Sequence, residues 1–116
     1  MSCIFCDIVE KKKPSEILDE DAVSVVFKDI RPSAPIHLLI VPKKHISSIQ
    51  NIQEADKELL GVLIIKARNI AKAKDMQGYK LLFNVGRLGG QLVEHIHLHL
   101  LGGWGSPPEE IIYESR

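Results

Sequence analysis

The pattern of apolar and polar positions divides the chain into short strands and one long helix. Apolar residues at helical spacing in residues 4–12 predict a short N-terminal helix. Runs of β-branched residues on either side of an acidic turn predict a hairpin from Ile17 to Phe27. The apolar run from Ile36 to Val41 predicts a further strand, which Pro42 ends because proline offers no N–H to a sheet.

The longest apolar stripe comes next. Asn51 and Glu54 have the spacing of a capping box, which satisfies the first N–H groups of a helix. The apolar positions that follow recur every three or four residues, with charged residues between them: Ile52, Leu59, Leu60, Leu63, Ile64, Ala67, Ile70 and Ala71. This periodicity predicts one amphipathic helix of about 24 residues that closes near Gly78.

The last third of the chain predicts two more strands around a glycine-bearing loop. The strands run from Tyr79 to Val85 and from Val93 to Leu101, and the loop runs from Gly86 to Gln91. The order of elements predicts an α+β fold, a five-stranded antiparallel sheet with one long helix and a short N-terminal helix. No linker or repeat interrupts the sequence, so we expect residues 1–116 to form a single domain.

Length and charge exclude several classes of partner. The 116 residues include 15 Lys plus Arg and 15 Asp plus Glu, so the net charge is zero. Nucleic-acid polymers and anionic membranes bind clustered positive charge, and we expect neither as the main partner. No window reaches the roughly 18 apolar residues of a membrane span, and the first residues do not resemble a signal peptide. We therefore expect a cytoplasmic protein.

Cys3 and Cys6 form a CxxC motif at the N-terminus. Two cysteines cannot make a disulfide framework, and in a reducing compartment this spacing indicates half of a metal site, a redox pair or structural thiols. A redox CxxC motif is expected directly after a strand, whereas this motif stands at the N-terminus. A redox pair is therefore the least favoured of the three interpretations. A metal site and structural thiols remain equally supported.

The segment HIHLHLL, residues 95–101, carries the most informative pattern. Side chains of a strand alternate between its faces, so His95, His97 and His99 should line one face over about 13 Å while the apolar residues between them enter the core. Packing alone does not require three histidines in register. The pattern favours a metal-binding cluster or an imidazole nucleophile with imidazole neighbours.

Two further features are ambiguous by themselves. The loop from Gly86 to Gln91 can bring backbone N–H groups close to an anion, although most such turns are simple hairpin loops. His37 lies among apolar residues of a strand, where a single histidine is more often part of the core. With three other histidines in so small a domain, a functional role for His37 is equally supported.

These residues resemble the histidine triad (HIT) family, and in particular its Hint-like branch of nucleotide phosphoramidases. The resemblance covers nearly the whole chain, through the segments IFCDIVEKKKPSEIL, FKDIRPSAPIHLLIVPKKHI, GYKLLFNVG and GGQLVEHIHLHLLGGW. It implies a HIT-like fold and a homodimer whose two sheets join edge to edge. It also implies a purine nucleotide as substrate, bound in a cleft of each protomer.

The resemblance assigns roles to individual residues. In such proteins the middle histidine attacks the α-phosphorus, displaces an amine or other leaving group, and forms a nucleotidyl-histidine that water hydrolyses. This makes His97 the nucleophile, places His95 and His99 beside the phosphate, and gives His37 an orienting role. The implied nucleotide contacts, besides His97 and His99, are Asp29 and Ile30 for the ribose and base, and Asn84, Gly90, Gln91 and Leu92 on the phosphate side. No cofactor is required for this chemistry, because imidazoles and loop N–H groups can stabilise the phosphoryl charge.

Two positions depart from the pattern of the Hint-like branch. Leu92 stands where a small hydroxyl residue is usual, and Glu94 stands where proline or an aromatic residue is commoner. The protonation of the leaving group is the step that these departures affect.

A structural zinc and two other functions also fit the resemblance. Some bacterial members of the family bind zinc with a residue set like Cys3, Cys6, His45 and His95. One alternative function is therefore a zinc-stabilised nucleotide-binding or interaction protein with little turnover. The other is a dinucleoside polyphosphate hydrolase of a sister branch.

Overall fold

Five strands form one antiparallel sheet with a helix on each face. The structure, a computed structural model, describes residues 3–108, so the two ends of the predicted domain 1–116 lie outside the described residues. The strands, in the spatial order β1-β2-β3-β5-β4, are β1 Ile17–Glu20, β2 Ser24–Lys28, β3 Ile36–Pro42, β4 Tyr79–Leu82 and β5 Leu98–Gly102. The α-helices are α1 Ile4–Val9 and α2 Lys57–Ala73. The predicted α+β class, the five strands and the hairpin are confirmed.

The central strands are buried on both faces, which explains why β2 and β3 are almost continuously apolar. On one face, Val26, Leu38 and Ile40 pack with residues of α2 such as Leu63. On the other face the core includes the side chains of Val25, Phe27, Leu39 and Val41 together with Phe5 and Ile8 of α1. The predicted core residues Ile96, Leu98 and Leu100 lie on the α2 side. The histidines between them therefore face the side of α1.

The long helix is shorter than the sequence predicts, 17 residues rather than about 24. Two short 3-10 turns, Ile49–Asn51 and Glu54–Asp56, precede it, and the capping box is formed by Gln53 and Asp56 rather than by Asn51 and Glu54. The helix ends before Gly78 because Asp75 adopts the left-handed conformation, with φ of 55°. Ile49 and Ile52 pack against the same core from outside the helix, which extends the apolar pattern beyond it.

The last two strands are also shorter than predicted. Pairing of β3 with β5 begins at Ile40 and Leu98, and before that point the N–H of Ile96 donates to the carbonyl of Ile46 at 2.7 Å. The prediction of a strand from Val93 is therefore wrong, and His95 and His97 precede β5. The ladder between β3 and β5 stops two residues before Pro42, the last residue of β3, which has no N–H to donate.

The turn between β1 and β2 is fixed to α2 by charge. Oδ1 of Asp21 accepts hydrogen bonds from the N–H groups of Val23 at 2.8 Å and Ser24 at 2.7 Å. Nζ of Lys66, on α2, lies 2.8 Å from Oδ2 of Asp21 and 2.9 Å from Oδ2 of Asp19. The ammonium group of Lys66, followed by the backbone hydrogen bonds, holds the pKa of Asp21 well below its ordinary value. Within residues 3–108, no helix is long and apolar enough to cross a membrane.

Candidate active site

The three histidines of the HIHLHLL segment gather at the start of β5 and are buried. The exposed fraction is 0% for His95 and His99 and 3% for His97. The rings of His97 and His99 lie 4.9 Å apart between centroids, at an angle of 64°. The expected grouping of histidines is thus present although only His99 belongs to the strand.

A main-chain carbonyl determines which nitrogen of His97 is basic. Nδ1 of His97 lies 2.7 Å from the carbonyl oxygen of His95. A carbonyl can only accept, so Nδ1 carries the proton and donates it, and Nε2 of the neutral ring keeps its lone pair. The ring of Phe5 meets that of His97 at a right angle, with 5.0 Å between centroids. His97 is therefore oriented with Nε2 as its nucleophilic atom.

His37 fixes the opposite tautomer on His99. The N–H of Ser33 donates to Nδ1 of His37 at 2.9 Å, so the proton of neutral His37 lies on Nε2. That nitrogen donates to Nδ1 of His99 at 2.9 Å, and Oδ2 of Asp29 lies 3.5 Å from it. His99 in turn keeps its proton on Nε2. The pair of His97 and His99 thus combines a basic nitrogen with an N–H donor, which suits attack on a centre whose oxygens need hydrogen bonds.

The residues predicted to contact the ribose and base differ in exposure. The carboxylate of Asp29 is buried against His37, and its Oδ1 accepts a hydrogen bond from the N–H of Arg31 at 2.8 Å. Ile30, in contrast, is 71% exposed. The carboxylate of Asp29 therefore lies beside His37, and the side chain of Ile30 is open to a ligand.

On the predicted phosphate side, Asn84 and Gly90 come together. A Cβ added to Gly90 would lie 3.8 Å from Oδ1 of Asn84, and Gly90 has φ of 90°, which favours glycine. Leu92 is 52% exposed, and Glu94 is exposed beside a cavity of about 230 Å³ that Gly86 also lines.

Gln91 holds the loop in place rather than facing outward. It is 3% exposed, and its Nε2 donates to the carbonyls of Ser47 at 2.6 Å and Val93 at 3.0 Å. Its Oε1 accepts from the N–H of Gly86 at 2.9 Å. Both N–H groups and the oxygen of this amide are thus bonded to the main chain. The Gln91 side chain anchors the turn that begins at Gly86.

The four residues predicted as zinc ligands converge from three parts of the chain: Cys3 and Cys6 at α1, His45 after β3, and His95 before β5. Nδ1 of His95 lies 3.1 Å from Nδ1 of His45, 3.5 Å from Sγ of Cys3 and 3.6 Å from Sγ of Cys6. Sγ of Cys6 lies 3.2 Å from Nδ1 of His45, and all four donor atoms are within 4.8 Å of one another. Ligands of tetrahedral zinc are separated by roughly 3.3–3.8 Å, so this donor set fits the metal.

The protonation of the cluster is also suited to a metal. Nε2 of His95 donates to the carbonyl of Pro42 at 2.8 Å, which leaves the lone pair on Nδ1. Burial lowers the pKa of His95 to about 4, so its imidazole is neutral at pH 7. Burial and the hydrogen bond with Cys3 raise the pKa of Cys6 to about 11, so metal binding would release a proton from this thiol.

Sequence reasoning missed Phe5, Ser33 and Pro42. Ser33 and Pro42 act through their backbone N–H and carbonyl groups, for which the identity of the side chain gives no signal. Phe5 had one available signal, its position between the two cysteines in a short helix.

Known proteins resemble this chain over most of its length. A family model described as "Scavenger mRNA decapping enzyme C-term binding" matches residues 2–112. Protein HitA of Neisseria gonorrhoeae is 44% identical over 102 residues, which cover 87% of this chain and 95% of that protein.

Solved structures of histidine triad proteins also resemble this chain. A HIT family hydrolase from Legionella pneumophila Philadelphia 1 is 48% identical with a TM-score of 0.86, over 89% of this chain and 94% of its own. A histidine triad protein from Clostridium difficile is 38% identical with a TM-score of 0.88, over 95% and 97%. A zinc-bound histidine triad family protein from Mycobacterium smegmatis is 28% identical with a TM-score of 0.78, over 90% and 77%. The predicted HIT-like fold is confirmed, and the chain belongs to the histidine triad family.

Proposed function

We propose that this protein is a nucleotide hydrolase or transferase that acts through a nucleotidyl-histidine on His97. The bond cleaved joins the phosphate of a purine nucleoside 5′-monophosphate to an amine or other leaving group. The observation that carries the proposal is the tautomer arrangement of the triad. The lone pair of His97 is on Nε2 because Nδ1 donates to the carbonyl of His95, and the neighbouring His99 carries its proton on Nε2.

The reaction has two displacements at phosphorus. The lone pair of His97 Nε2 forms a bond to phosphorus, and the bond to the leaving nitrogen breaks with its electron pair remaining on that nitrogen, which takes up a proton. Water then attacks the nucleotidyl-histidine, gives the nucleoside monophosphate and regenerates the imidazole. During both steps the N–H of His99 donates to a phosphoryl oxygen and stabilises its charge.

The proposed nucleotide site uses the residues that surround this pair. The exposed side chain of Ile30 offers an apolar face for the purine, and the carboxylate of Asp29 is an acceptor for a ribose hydroxyl. Asn84 and the backbone at Gly90 lie together and supply donors to the phosphate side. Gln91 contributes by anchoring the loop, as its hydrogen bonds indicate.

We also propose a structural zinc at Cys3, Cys6, His45 and His95. The donor distances support it, as does the zinc-bound relative from Mycobacterium smegmatis. A closed set of four protein ligands leaves no position for substrate, so the metal would supply folding energy and fix the positions of its ligands.

A homodimer is proposed through β4 and α2. The strand β4 lies at an edge of the sheet, where its outer side is available for pairing with a second copy. Val62, Ile64 and Ile65 on α2 and Leu81 on β4 are apolar and 39–45% exposed. Sedimentation at micromolar concentration should give the mass of two chains, and a monomer would contradict this proposal.

A second candidate is hydrolysis of a dinucleoside polyphosphate, with the same nucleophile. Leu92 favours it, because leucine cannot donate a proton and a phosphate leaving group needs one less than an amine does. The description of the matching family model, which refers to mRNA decapping, is consistent with it. A zinc-stabilised binding protein with little turnover is the third possibility.

One experiment separates these functions. The protein is mixed with adenylyl and guanylyl phosphoramidates and with dinucleoside polyphosphates, quenched within seconds, and digested for mass spectrometry. The proposal predicts a nucleotidyl adduct on His97, formed most rapidly from the preferred substrate class. Turnover without an adduct on this residue would overturn the mechanism, and binding without turnover would support the third possibility.

A further inference from the structure

The four-donor cluster and the proposed nucleophile share one residue, His95. Its Nδ1 lies 3.1–3.6 Å from the donor atoms of His45, Cys3 and Cys6. Its main-chain carbonyl accepts the hydrogen bond, 2.7 Å long, that fixes the tautomer and ring plane of His97. The position of the His95 side chain and the orientation of His97 are therefore linked through a single residue.

Helix α1 supplies a second connection. Cys3 is its N-cap, Cys6 lies in its first turn, and Phe5 stands between them with an exposed fraction of 0%. The ring of Phe5 meets the ring of His97 edge to face at 5.0 Å and the ring of His95 at 6.0 Å. Whatever fixes the two cysteines also fixes the aromatic surface against which His97 packs.

We propose that Phe5 and His95 are positioning residues that transmit the occupancy of the Cys3, Cys6, His45 and His95 cluster to the nucleophile His97. A metal held by the cluster keeps α1 and the His95 main chain in place, and both hold the imidazole of His97 in its reactive orientation. This inference rests on the proposed role of His97. Occupancy should change the rate of nucleotidyl transfer far more than the affinity for nucleotide.

The local structure gives the physical reason. A helix of six residues has little stability of its own, so the position of α1 depends on its packing and on the contacts of Cys3 and Cys6. In the cluster, two ring nitrogens face each other at 3.1 Å, and His95 offers a lone pair there because its proton is on Nε2. A shared cation attracts both nitrogens and both sulfurs at once. Loss of a residue that orients a metal ligand typically costs about 10- to 100-fold in activity, and a displacement of a reacting group by about 1 Å can cost about 100-fold.

Phe5→Leu and Phe27→Leu form a matched pair of variants. The two rings pack on each other at 5.4 Å in the same core cluster and are 0% and 1% exposed, so the substitutions should have similar effects on stability. We expect Phe5→Leu to lower kcat about 10-fold or more with KM within about twofold, and Phe27→Leu to leave both within about twofold. Equal loss of kcat in the two variants would show that general loosening of the core is responsible, and would overturn the proposal.

Metal exchange on the full chain gives the second test. Single-turnover rates and the dissociation constant for the product nucleotide are measured in zinc-loaded protein, after removal of zinc by a chelator, and after zinc is returned. The proposal predicts an about 10- to 100-fold loss of rate, nucleotide affinity within about threefold, and recovery with zinc. An unchanged rate in the zinc-free protein would overturn it.

A readout independent of activity distinguishes this inference from the proposed function. Long-range ¹H–¹⁵N NMR of the histidine rings reports which nitrogen of His97 carries the proton. In zinc-loaded wild type we expect a single Nδ1–H form, and in zinc-free protein and in Phe5→Leu a mixture of both forms. If His97 shows the single form in all three samples, the coupling is wrong even where nucleotidyl transfer is found. If no adduct forms on His97 in the loaded protein, the proposed function fails, and the spectra still decide the coupling.

Discussion

Nε2 of His37 lies 2.9 Å from Nδ1 of His99, although the two residues are 62 positions apart in the sequence. The register of β3 and β5 brings them together, because Leu39 pairs with His99 and His37 with Leu101, which makes the two histidines diagonal neighbours on one face. The hydrogen bond from Ser33 to His37 completes a chain that sets the proton of His99 on Nε2.

His37→Ala should lower kcat about 10- to 100-fold, since it removes the donor that fixes His99 without removing the nucleophile. The KM for the nucleotide substrate should change less than kcat. His37→Gln is the matched control, because its amide can donate to Nδ1 of His99, and it should recover part of the loss. Steady-state kinetics of both variants test this, and an unchanged kcat in His37→Ala would exclude an orienting role.

His97→Ala should abolish hydrolysis and leave nucleotide binding within about tenfold, because the side chain acts covalently and adds little ground-state affinity. Turnover and nucleotide binding by calorimetry are measured on the same preparation. The binding result serves as the control for folding. Activity retained by this variant would remove the proposed nucleophile.

Cys3→Ser should release about one equivalent of zinc and lower the melting temperature by about 5 °C or more, because a structural metal site contributes its binding free energy to folding. Metal analysis and thermal unfolding measure the two effects. Chelator-treated wild type is the control and should melt near the variant. Wild-type protein that contains no metal when purified without chelators would contradict the zinc proposal.

Asp21→Asn should lower the stability at pH 7 by about 0.5–1 kcal/mol, a modest value because the side chain is 37% exposed to solvent. The pKa of folded Asp21 lies below its ordinary value, chiefly because of Lys66. The charge therefore stabilises the fold above the unfolded pKa, and this contribution is lost as the pH falls through the folded pKa. Asparagine keeps the oxygen that caps the turn, so the difference reports the charge.

Urea unfolding of wild type and Asp21→Asn at several pH values tests this, and the difference should shrink as the pH falls below about 4. Asp19→Asn is the comparison, since Asp19 contacts the same lysine but is 47% exposed, and its effect should be smaller. A difference between wild type and Asp21→Asn that stays constant down to acidic pH would show that the ion pair is not its source.

The sequence predicted the fold class better than the limits of the elements. The alternation in HIHLHLL separated the core residues from the histidines correctly, although His95 and His97 do not lie in a strand. The start of α2 could not be read from the pattern because Ile52 has extended backbone and still packs against the core, as a helical residue would.

The tautomers of the site depend on partners that the sequence does not reveal. The proton on His97 is fixed by a main-chain carbonyl, and any residue at position 95 offers the same carbonyl. Gln91 shows the same limit, because only its hydrogen bonds to Ser47, Gly86 and Val93 identify it as the anchor of the loop.

Leu92 is expected to determine which leaving groups are cleaved efficiently. It follows the anchor residue Gln91 and is 52% exposed, but its side chain has no proton to donate to a departing nitrogen. An amine leaving from phosphorus needs that proton more than an oxygen of low pKa does. Leu92→Ser should therefore accelerate cleavage of phosphoramidates, with the largest gain on the poorest leaving groups and a small gain on acyl phosphates or fluoridates.

Assistance by a general acid is typically worth about 10²- to 10⁴-fold, so even partial recovery is measurable as a change in kcat across a series of amine leaving groups. Leu92→Ala is the matched control, because it removes the same branched end of the side chain without adding a hydroxyl. If Ser and Ala at this position give the same rates, the gain comes from access of water rather than from proton donation. If Leu92→Ser changes the cleavage rates of all substrates equally, or of none, the prediction is contradicted. Protonation of the leaving group would then come from another residue, and His99 and Glu94 are the next residues to substitute.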